Sequence, residues 1–314
     1  MKILITGCAG FIGINFTKYL LATHPLDRLV GVDCLTYAAN TEELCALSER
    51  KKISFYKENI CDFGAMERIF SHEKPDIVVN FAAESHVDRS FGAPDLFMET
   101  NVHGTEVLLD ASLRHGVGRF HQISTDEVYG DMPLDSKKRF TEGSPLNPSS
   151  PYSQSKAEAD KLVLSYMVRG LSASISRSTN NFGKFQHSEK LIPMTVKSIM
   201  DGKAVPIYGD GSNMRDWLYV MDHCRAVDMI IRAGKCEIYN ISAENEWSNI
   251  DLIMKIAALS GTENAKIEFV NDRPNHDRRY PVDSSKLRAI GWQPEGEFEK
   301  RLRETVEWYR DRMK

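Results

Sequence analysis

The stretch Met1-Lys2-Ile3-Leu4-Ile5-Thr6-Gly7-Cys8-Ala9-Gly10-Phe11-Ile12-Gly13 decides the fold. Lys2 to Thr6 is a short β-rich apolar run, Gly7 to Gly10 breaks it, and Phe11 to Leu21 repeats apolar residues at helical spacing. Strand, tight turn and helix therefore follow one another. In the spacing G-x-x-G-x-x-G, Gly7 permits the turn, Gly10 lets backbone approach a pyrophosphate, and Gly13 brings helix close to strand. The helix N-terminus adds free N–H groups and the positive end of the helix dipole. Asp33 closes the next apolar run about 20 residues on, which completes a dinucleotide-binding fingerprint. Its carboxylate would accept hydrogen bonds from an adenosine ribose and repel a 2′-phosphate, so NAD is expected rather than NADP.

Working outward, Leu29 to Val32, Ile53 to Tyr56, Ile77 to Phe81 and Arg119 to Ser124 read as further strands. Helical patterns lie between several of them, at Asn40 to Glu49, Phe63 to His72 and Pro94 to His115. Strands alternating with helices predict a Rossmann-type, doubly wound parallel sheet in an α/β protein. After Ser174 to Ser176 the alternation becomes irregular. Residues 1–178 are expected to form the NAD-binding domain and 179–314 a smaller, mostly C-terminal α/β lobe for substrate. Segments near 215–242 are expected to return to the first domain.

The chain has 314 residues, 42% of them hydrophobic and 27% charged, with a net charge of −4. That composition suits a globular protein and offers no broad basic surface, so neither nucleic acid nor a membrane is an expected partner. Cys8, Cys34, Cys45, Cys61, Cys224 and Cys236 form no C-x-x-C pair and match no zinc spacing, so no metal is expected. The N-terminus enters a strand where a secretory signal would need a longer apolar region. A reducing cytoplasm is the expected compartment.

Thr125-Asp126-Glu127 stands at the C-terminal end of the Arg119 to Ser124 strand, where ligands bind in open parallel sheets. Tyr152 and Lys156 follow at Y-x-x-x-K spacing, on a helix for which Ser150 is an N-cap and Pro151 the first residue. As i and i+4 they share a helix face. A free phenol, with a pKa near 10, is a poor base. A lysine ammonium one turn away and a positive nicotinamide ring would stabilise the phenolate and lower that value. Thr125 would donate to the substrate oxygen. Two adjacent carboxyls can hold one proton between them and divide into acid and base, as elimination of water beside a ketone requires.

These residues carry a resemblance. The glycine loop Thr6 to Gly13, DCLTYAAN from Asp33, FAAESHVDRS from Phe81, ISTDEVYGD from Ile123 and SSPYSQSKA from Ser149 resemble the nucleoside-diphosphate-hexose 4,6-dehydratases. So do NNFG from Asn180, EKLIP from Glu189, IYGDGSNMRDWLYVMDH from Ile207 and DRPNHDRRY from Asp272. That family lies within the extended short-chain dehydrogenase/reductase superfamily, and the likeness spans almost the whole chain.

The resemblance implies an NAD-dependent lyase acting on a nucleotide sugar in deoxysugar biosynthesis, with dTDP-glucose the expected substrate. Tyr152, with Lys156 and Thr125, would take the proton of the sugar 4-hydroxyl while C4 gives its hydride to NAD. Glu127 would remove the C5 proton and Asp126 would protonate the departing 6-hydroxyl; hydride return to C6 gives dTDP-4-keto-6-deoxyglucose. It also implies that Gly7, Gly10, Phe11, Ile12, Gly13, Asp33, Asn59, Ile60, Ala82, Ala83 and Thr100 bind the cofactor, with Tyr152 and Lys156. Ser85, His86 and Asn181 are expected near sugar and phosphates, Glu189, Lys190 and Leu191 near the base, and Arg215 and His276 near the diphosphate. The family commonly forms dimers through the helices around Pro94 to His115 and Tyr152 to Arg169.

The sequence departs from the family's pattern at Cys8, at Asn59 in place of an acid, and at Lys184 and His187 beside the nucleotide pocket. UDP-glucose or UDP-N-acetylglucosamine remain alternative substrates. A nucleotide-sugar 4-epimerase would not need Asp126-Glu127, and a non-catalytic NAD-sensing protein would not need Tyr152 and Lys156.

Overall fold

The computed structural model of the chain describes residues 1–262, 265–272 and 276–313. The first half alternates as the periodicity predicts: β1 (Lys2–Thr6), α1 (Phe11–Thr23), β2 (Arg28–Val32), α2 (Thr41–Glu49), β3 (Ser54–Tyr56), α3 (Phe63–Glu73) and β4 (Ile77–Asn80). Two short helices come next, α4 (Val87–Gly92) and α5 (Pro94–Met98), then a π turn at Glu99–His103 and α6 (Gly104–Arg114). β5 (Arg119–Thr125) runs into a 3₁₀ turn, Asp126–Tyr129, and α7 (Pro151–Val168) leads to β6 (Ala173–Ser178).

The sequence pattern predicts one helix from Pro94 to His115, but the chain inserts the π turn there. Its Asn101 faces inward, accepting the Glu84 N–H at 2.9 Å and donating to the Glu84 carbonyl at 3.0 Å and to Ser155 Oγ at 2.8 Å. The extra residue in the turn thus ties the loop after β4 to α7, a use of π turns common near functional sites.

Seven strands form one parallel sheet in the order β3-β2-β1-β4-β5-β6-β10, β10 being Ile238–Ile241. The order reverses at β1, which pairs β2 on one side and β4 on the other. The crevice at that switch point, above the strand ends, is where ligands enter such sheets. Ile3 and Ile5 pack on one face with Ile14, Phe16, Val220 and Val227, and Leu4 on the other with Val78, Phe120 and Val163. Alternate residues of one strand thus anchor two layers, each fully buried side chain contributing about 1.5–3 kcal/mol.

The rest of the chain is β7 (Asn180–Phe182), α8 (Leu191–Met200), β8 (Val205–Tyr208), β9 (Met214–Tyr219) and α9 (Val220–Ala233). Beyond β10 come β11 (Glu246–Ser248), α10 (Asn249–Leu259), β12 (Ile267–Val270), α11 (Ser285–Arg288) and α12 (Phe298–Arg312). β7, β9 and β11 make one small sheet, and β8 and β12 another. Phe182, Ile192, Trp217, Leu252 and Val306 form a separate core that holds this lobe over the crevice. α9 instead packs its Val220, Cys224 and Val227 beside β1 and α1, and β10 extends the main sheet.

Candidate active site

Gly7 follows β1 with φ +63°, and a Cβ there would stand 2.6 Å from Ala82 N, so only glycine fits between the two strand ends. A Cβ on Gly13 would lie 2.1 Å from the Gly7 carbonyl oxygen, which fixes how closely α1 approaches the turn. Gly10 occupies the helix cap and has no side chain to satisfy the first N–H groups of α1. Those donors and the dipole end are left for an anion. Cys8, where the family has glycine, is accommodated because Gly31 leaves room for its sulfur: a Cβ at Gly31 would be 2.7 Å from Cys8 Sγ.

Asp33, just past β2, accepts the Ala9 N–H at 2.9 Å and the Leu35 N–H at 2.8 Å. Burial raises its pKa and these two backbone donors oppose the rise. They also aim the carboxylate, whose remaining lone pairs are available to a ribose. Asn59 Oδ1 accepts the Cys61 N–H at 3.0 Å, an orienting bond for a residue that lines the cavity. Gly7, Gly10, Phe11, Ile12, Gly13, Asp33, Asn59, Ile60, Ala82, Ala83 and Thr100 all line one cavity of about 390 Å³, together with Thr125, Asp126, Glu127, Tyr152 and Lys156. The glycine cradle, the uncapped helix end and Asp33 fit a dinucleotide.

The five candidate catalytic residues meet because β5 ends where α7 begins its first turn. Ser150 caps α7, accepting the Ser153 N–H at 3.1 Å while Ser153 Oγ accepts the Ser150 N–H at 3.0 Å. That reciprocal cap and Pro151 fix the direction in which Tyr152 and Lys156 leave the helix. Lys156 Nζ donates to the Ile123 carbonyl of β5 at 2.6 Å. Burial brings Lys156 down to about 8, with the charge of Asp160 acting against the fall.

Tyr152 is 9% exposed and its pKa lies above the ordinary phenol value, raised by burial and then by the charge of Glu127. The polypeptide alone therefore does not produce the lowered phenol expected from the sequence. The seclusion that would strengthen a positive partner also penalises the phenolate until such a partner is present.

Thr125 Oγ1 donates to Asp126 Oδ1 at 3.2 Å and accepts the Glu127 N–H at 3.3 Å, which holds the two carboxyls in a tight 3₁₀ turn. Asp126 is 2% exposed, and burial followed by the Glu127 charge keeps its pKa well above the usual carboxylate value. Glu127 is half-buried and lines both the cofactor cavity and its neighbour. The pair thus consists of a secluded carboxyl, whose protonated form burial favours, and a more open one.

The neighbouring cavity, about 240 Å³, is lined by Ser85, His86, Asn181, Glu189, Lys190, Leu191, Arg215 and His276, so the structure brings together every residue expected at the substrate. It joins the first at Ser85, Glu127, Asn181, Glu189 and Lys190. Arg215 lies over the Tyr280 ring and donates to the carbonyls of Met214 and Asp277 at 2.7 and 2.9 Å, so its guanidinium is preset at the cavity wall. His276 Nδ1 is 2.5 Å from Asp272 Oδ1. Of the DRPNHDRRY stretch, residues 273–275 lie outside the described residues.

Glu189 sits at the junction of the cavities. It accepts from Tyr37 Oη at 3.0 Å and has His86, Arg89 and His187 within 3.5, 3.5 and 3.6 Å. His187, one of the departures from the family, thus adds a titratable ring beside this carboxylate and against Tyr37.

Sequence reasoning missed Tyr280, whose hydroxyl donates to Asp277 Oδ2 at 2.7 Å and whose pKa feels the Glu127 charge. It missed His223 too, buried on α9 with Nδ1 2.9 Å from Asn181 Oδ1. Tyr280 could have been picked out as the end of the HDRRY motif. His223 carries no such local signal, because its partner is 42 residues away. Among the described residues no group of three His, Cys, Asp or Glu is placed to hold a metal ion, and no helix is long and apolar enough to cross a membrane.

Comparison with known proteins supports the same family. A profile of the GDP-mannose 4,6 dehydratase family matches residues 4–305. The dTDP-glucose 4,6-dehydratase 1 of Escherichia coli K12 is 45% identical, over 98% of this chain and 92% of its own. The low-salt glycan biosynthesis protein Agl12 of Haloferax volcanii is 46% identical, over 98% of both chains. The crystal structure of the dTDP-glucose 4,6-dehydratase DesIV from Streptomyces venezuelae, with NAD and TYD bound, superposes with a TM-score of 0.94 at 41% identity, covering 99% of this chain and 97% of that one. The UDP-glucose 4-epimerase of Thermotoga maritima has nearly the same fold, with a TM-score of 0.92 at 28% identity over the whole of both chains, so fold alone does not choose the reaction. With its fold, its paired carboxyls and full-length similarity in agreement, the chain belongs to the nucleoside-diphosphate-hexose 4,6-dehydratases, the family of the GDP-mannose 4,6 dehydratase profile, within the extended short-chain dehydrogenase/reductases.

Proposed function

We propose that this chain catalyses the NAD-dependent dehydration of dTDP-glucose to dTDP-4-keto-6-deoxyglucose. The observation that carries the reading is the carboxyl pair on the turn next to Tyr152: Asp126 secluded, its protonated form favoured by burial, and Glu127 open to both cavities. Bound NAD supplies the acceptor for the C4 hydride and gives it back at C6.

The chain's own residues manage the protons. Tyr152 takes the proton of the sugar 4-hydroxyl, Thr125 hydrogen-bonds that oxygen, and Lys156 supplies the positive charge that favours the phenolate. Once C4 is a ketone its neighbour C5 is acidic. Glu127 accepts the C5 proton and Asp126 gives its own proton to the departing 6-hydroxyl, so one water leaves; as hydride returns to C6, C5 takes a proton back to give the 4-keto-6-deoxy sugar. Ser85, His86 and Asn181 border the sugar and phosphates, and Arg215 and His276 hold the diphosphate, for which Arg offers a fork of donors. Glu189, Lys190 and Leu191 border the base.

Two further features belong to this reading. Leu96 and Met98 on α5 and Leu164 and Val168 on α7 are exposed apolar side chains, the last 91% exposed, and they support a homodimer built on these helices. A monomer by light scattering would remove it. Six free thiols suit a reducing cytoplasm. Residues 1–178 form the cofactor-binding part and 179–314 the substrate lobe, with α9 and β10 returned to the main sheet.

The test is product identity. Offered dTDP-glucose and UDP-glucose side by side, the protein is expected to form a 4-keto-6-deoxy sugar faster from the dTDP substrate, as followed by NMR. A product that keeps its 6-hydroxyl and is inverted at C4 would make it an epimerase.

A further inference from the structure

Behind the catalytic face, α7 carries an ionisable residue that the proposed reaction does not use. Asp160 stands four residues after Lys156, on the same helix face, with its side chain fully buried. Its Oδ2 accepts from Arg177 Nε of β6 at 2.9 Å. Arg177 Nη1 donates in turn to Tyr129 Oη at 3.0 Å, and the Tyr129 hydroxyl donates to Asn240 Oδ1 of β10 at 2.7 Å. The carboxylate is thereby pinned from across the sheet. Ser124, beside the Ile123 carbonyl that takes Lys156 Nζ, interacts with the same carboxylate through its hydroxyl.

So deep an ion pair is a poor device for stability alone, since desolvation consumes most of its attraction. What lies one helical turn above it is Lys156, 4% exposed and hydrogen-bonded to a neutral carbonyl. Burial disfavours the lysine's charge, and Asp160 is the group that opposes this. The other ionisable groups at this place are Tyr152 on α7, Asp126 and Glu127 on the turn after β5, and Arg177 on β6; the π turn brings only the neutral Thr100 to the cavity. Beside these, Asp160 is the carboxylate clamped by Arg177, one helical turn from Lys156 on the side away from Tyr152.

The geometry points to Asp160 as a positioning residue that acts through Lys156, its carboxylate clamped by Arg177 so that the ammonium stays charged beneath Tyr152. This rests on the roles proposed above for Tyr152 and Lys156. It makes α7 a stack of three functional levels one turn apart: a phenol that meets substrate, a cation that favours the phenolate, and an anion that keeps the cation.

The test reads Lys156 directly. In holoenzyme carrying lysine labelled with ¹³C at Cε, the Lys156 resonance is assigned by its loss in Lys156→Met and titrated in the wild type, in Asp160→Asn and in Asp160→Asn/Arg177→Met. The double variant leaves no unpaired buried guanidinium and keeps the test open where the single variant fails to fold. Arg177 is not among the charges acting on Lys156, so the sign of the expected shift is the same in both.

The Lys156 midpoint is expected to fall by about one pH unit or more, and the alkaline limb of kcat to move with it. A one-unit fall from about 8 lowers the charged fraction at pH 8 about fivefold, while KM stays within about twofold. A Lys156 midpoint that stays in place in the folded variants, whatever happens to turnover, would overturn the proposal. Absence of nucleotide-sugar turnover in the wild type counts against the proposed function instead, and leaves the lysine titration readable on its own.

Discussion

Replacing Asp126 by Asn separates the acid's chemistry from its electrostatics. Asp126 is 2% exposed beside Glu127, and both burial and that charge favour its protonated form. Asn keeps the shape and the oxygen that accepts from Thr125 Oγ1 at 3.2 Å, but it has no acidic proton. A positioned general acid contributes about 10²–10⁴ in rate, so water loss should slow by that factor, about 3–5 kcal/mol of barrier. Oxidation at C4 uses Tyr152 and should persist, so reduced cofactor should build up on the enzyme.

Stability supplies the second arm. A carboxyl whose folded pKa is raised contributes stability that is fully present below the unfolded pKa near 3.9 and is lost as pH climbs toward the folded one. Across that window the wild type loses about 1.4 kcal/mol per pH unit to this one group, and Asp126→Asn loses none of it. Chemical denaturation from pH 4.5 to 8 should therefore show the variant gaining on the wild type as pH rises. Parallel stability curves would mean that Asp126 is ionised in the fold, and dehydration at the wild-type rate would remove it as the acid. Either result refutes the division of labour between the two carboxyls.

Gly13→Ala puts a Cβ 2.1 Å from a carbonyl oxygen where at least 3.0 Å is needed, so α1 must retreat by roughly an ångström. About 1–3 kcal/mol of stability should be lost, together with retained cofactor; unchanged NAD content in the purified variant would contradict the cradle. Arg215→Ala removes a guanidinium preset at the cavity wall, and KM for the nucleotide sugar should rise at least about tenfold with kcat less affected. An unchanged KM takes Arg215 out of the diphosphate site. NADP should fail to support turnover of cofactor-free protein, because its 2′-phosphate meets the Asp33 carboxylate; comparable turnover with NADP would sink that role.

What could be read from the chain followed the range of the interactions. The glycine loop, Asp33 and the Tyr152/Lys156 pair are encoded within a few residues of one another or by one helical turn. Spacing alone therefore predicted the sheet, and it picked out the Tyr152/Lys156 pair that the structure places in the cofactor cavity. The π turn was not visible, because its cause is Asn101 holding the backbone of Glu84 and a serine 54 residues away on α7. The tie between Tyr37 and Glu189 spans 152 residues and joins the cofactor loop to the substrate lobe. Asp160 carries no local signal, because its partner Arg177 is 17 residues away on β6. Asp126 and Glu127 were recognisable as a pair. Which of them is secluded was set by burial, which a turn of two carboxyls does not reveal.

The central claim is that one active site oxidises C4, eliminates water and returns the same hydride to C6. It is tested most directly with dTDP-glucose deuterated at C4, mixed with unlabelled substrate and followed by mass spectrometry and NMR. The account predicts a 4-keto-6-deoxy product with deuterium at C6 and no crossover of label between molecules. Product that retains its 6-hydroxyl, or deuterium lost to solvent or passed to unlabelled molecules, would contradict it.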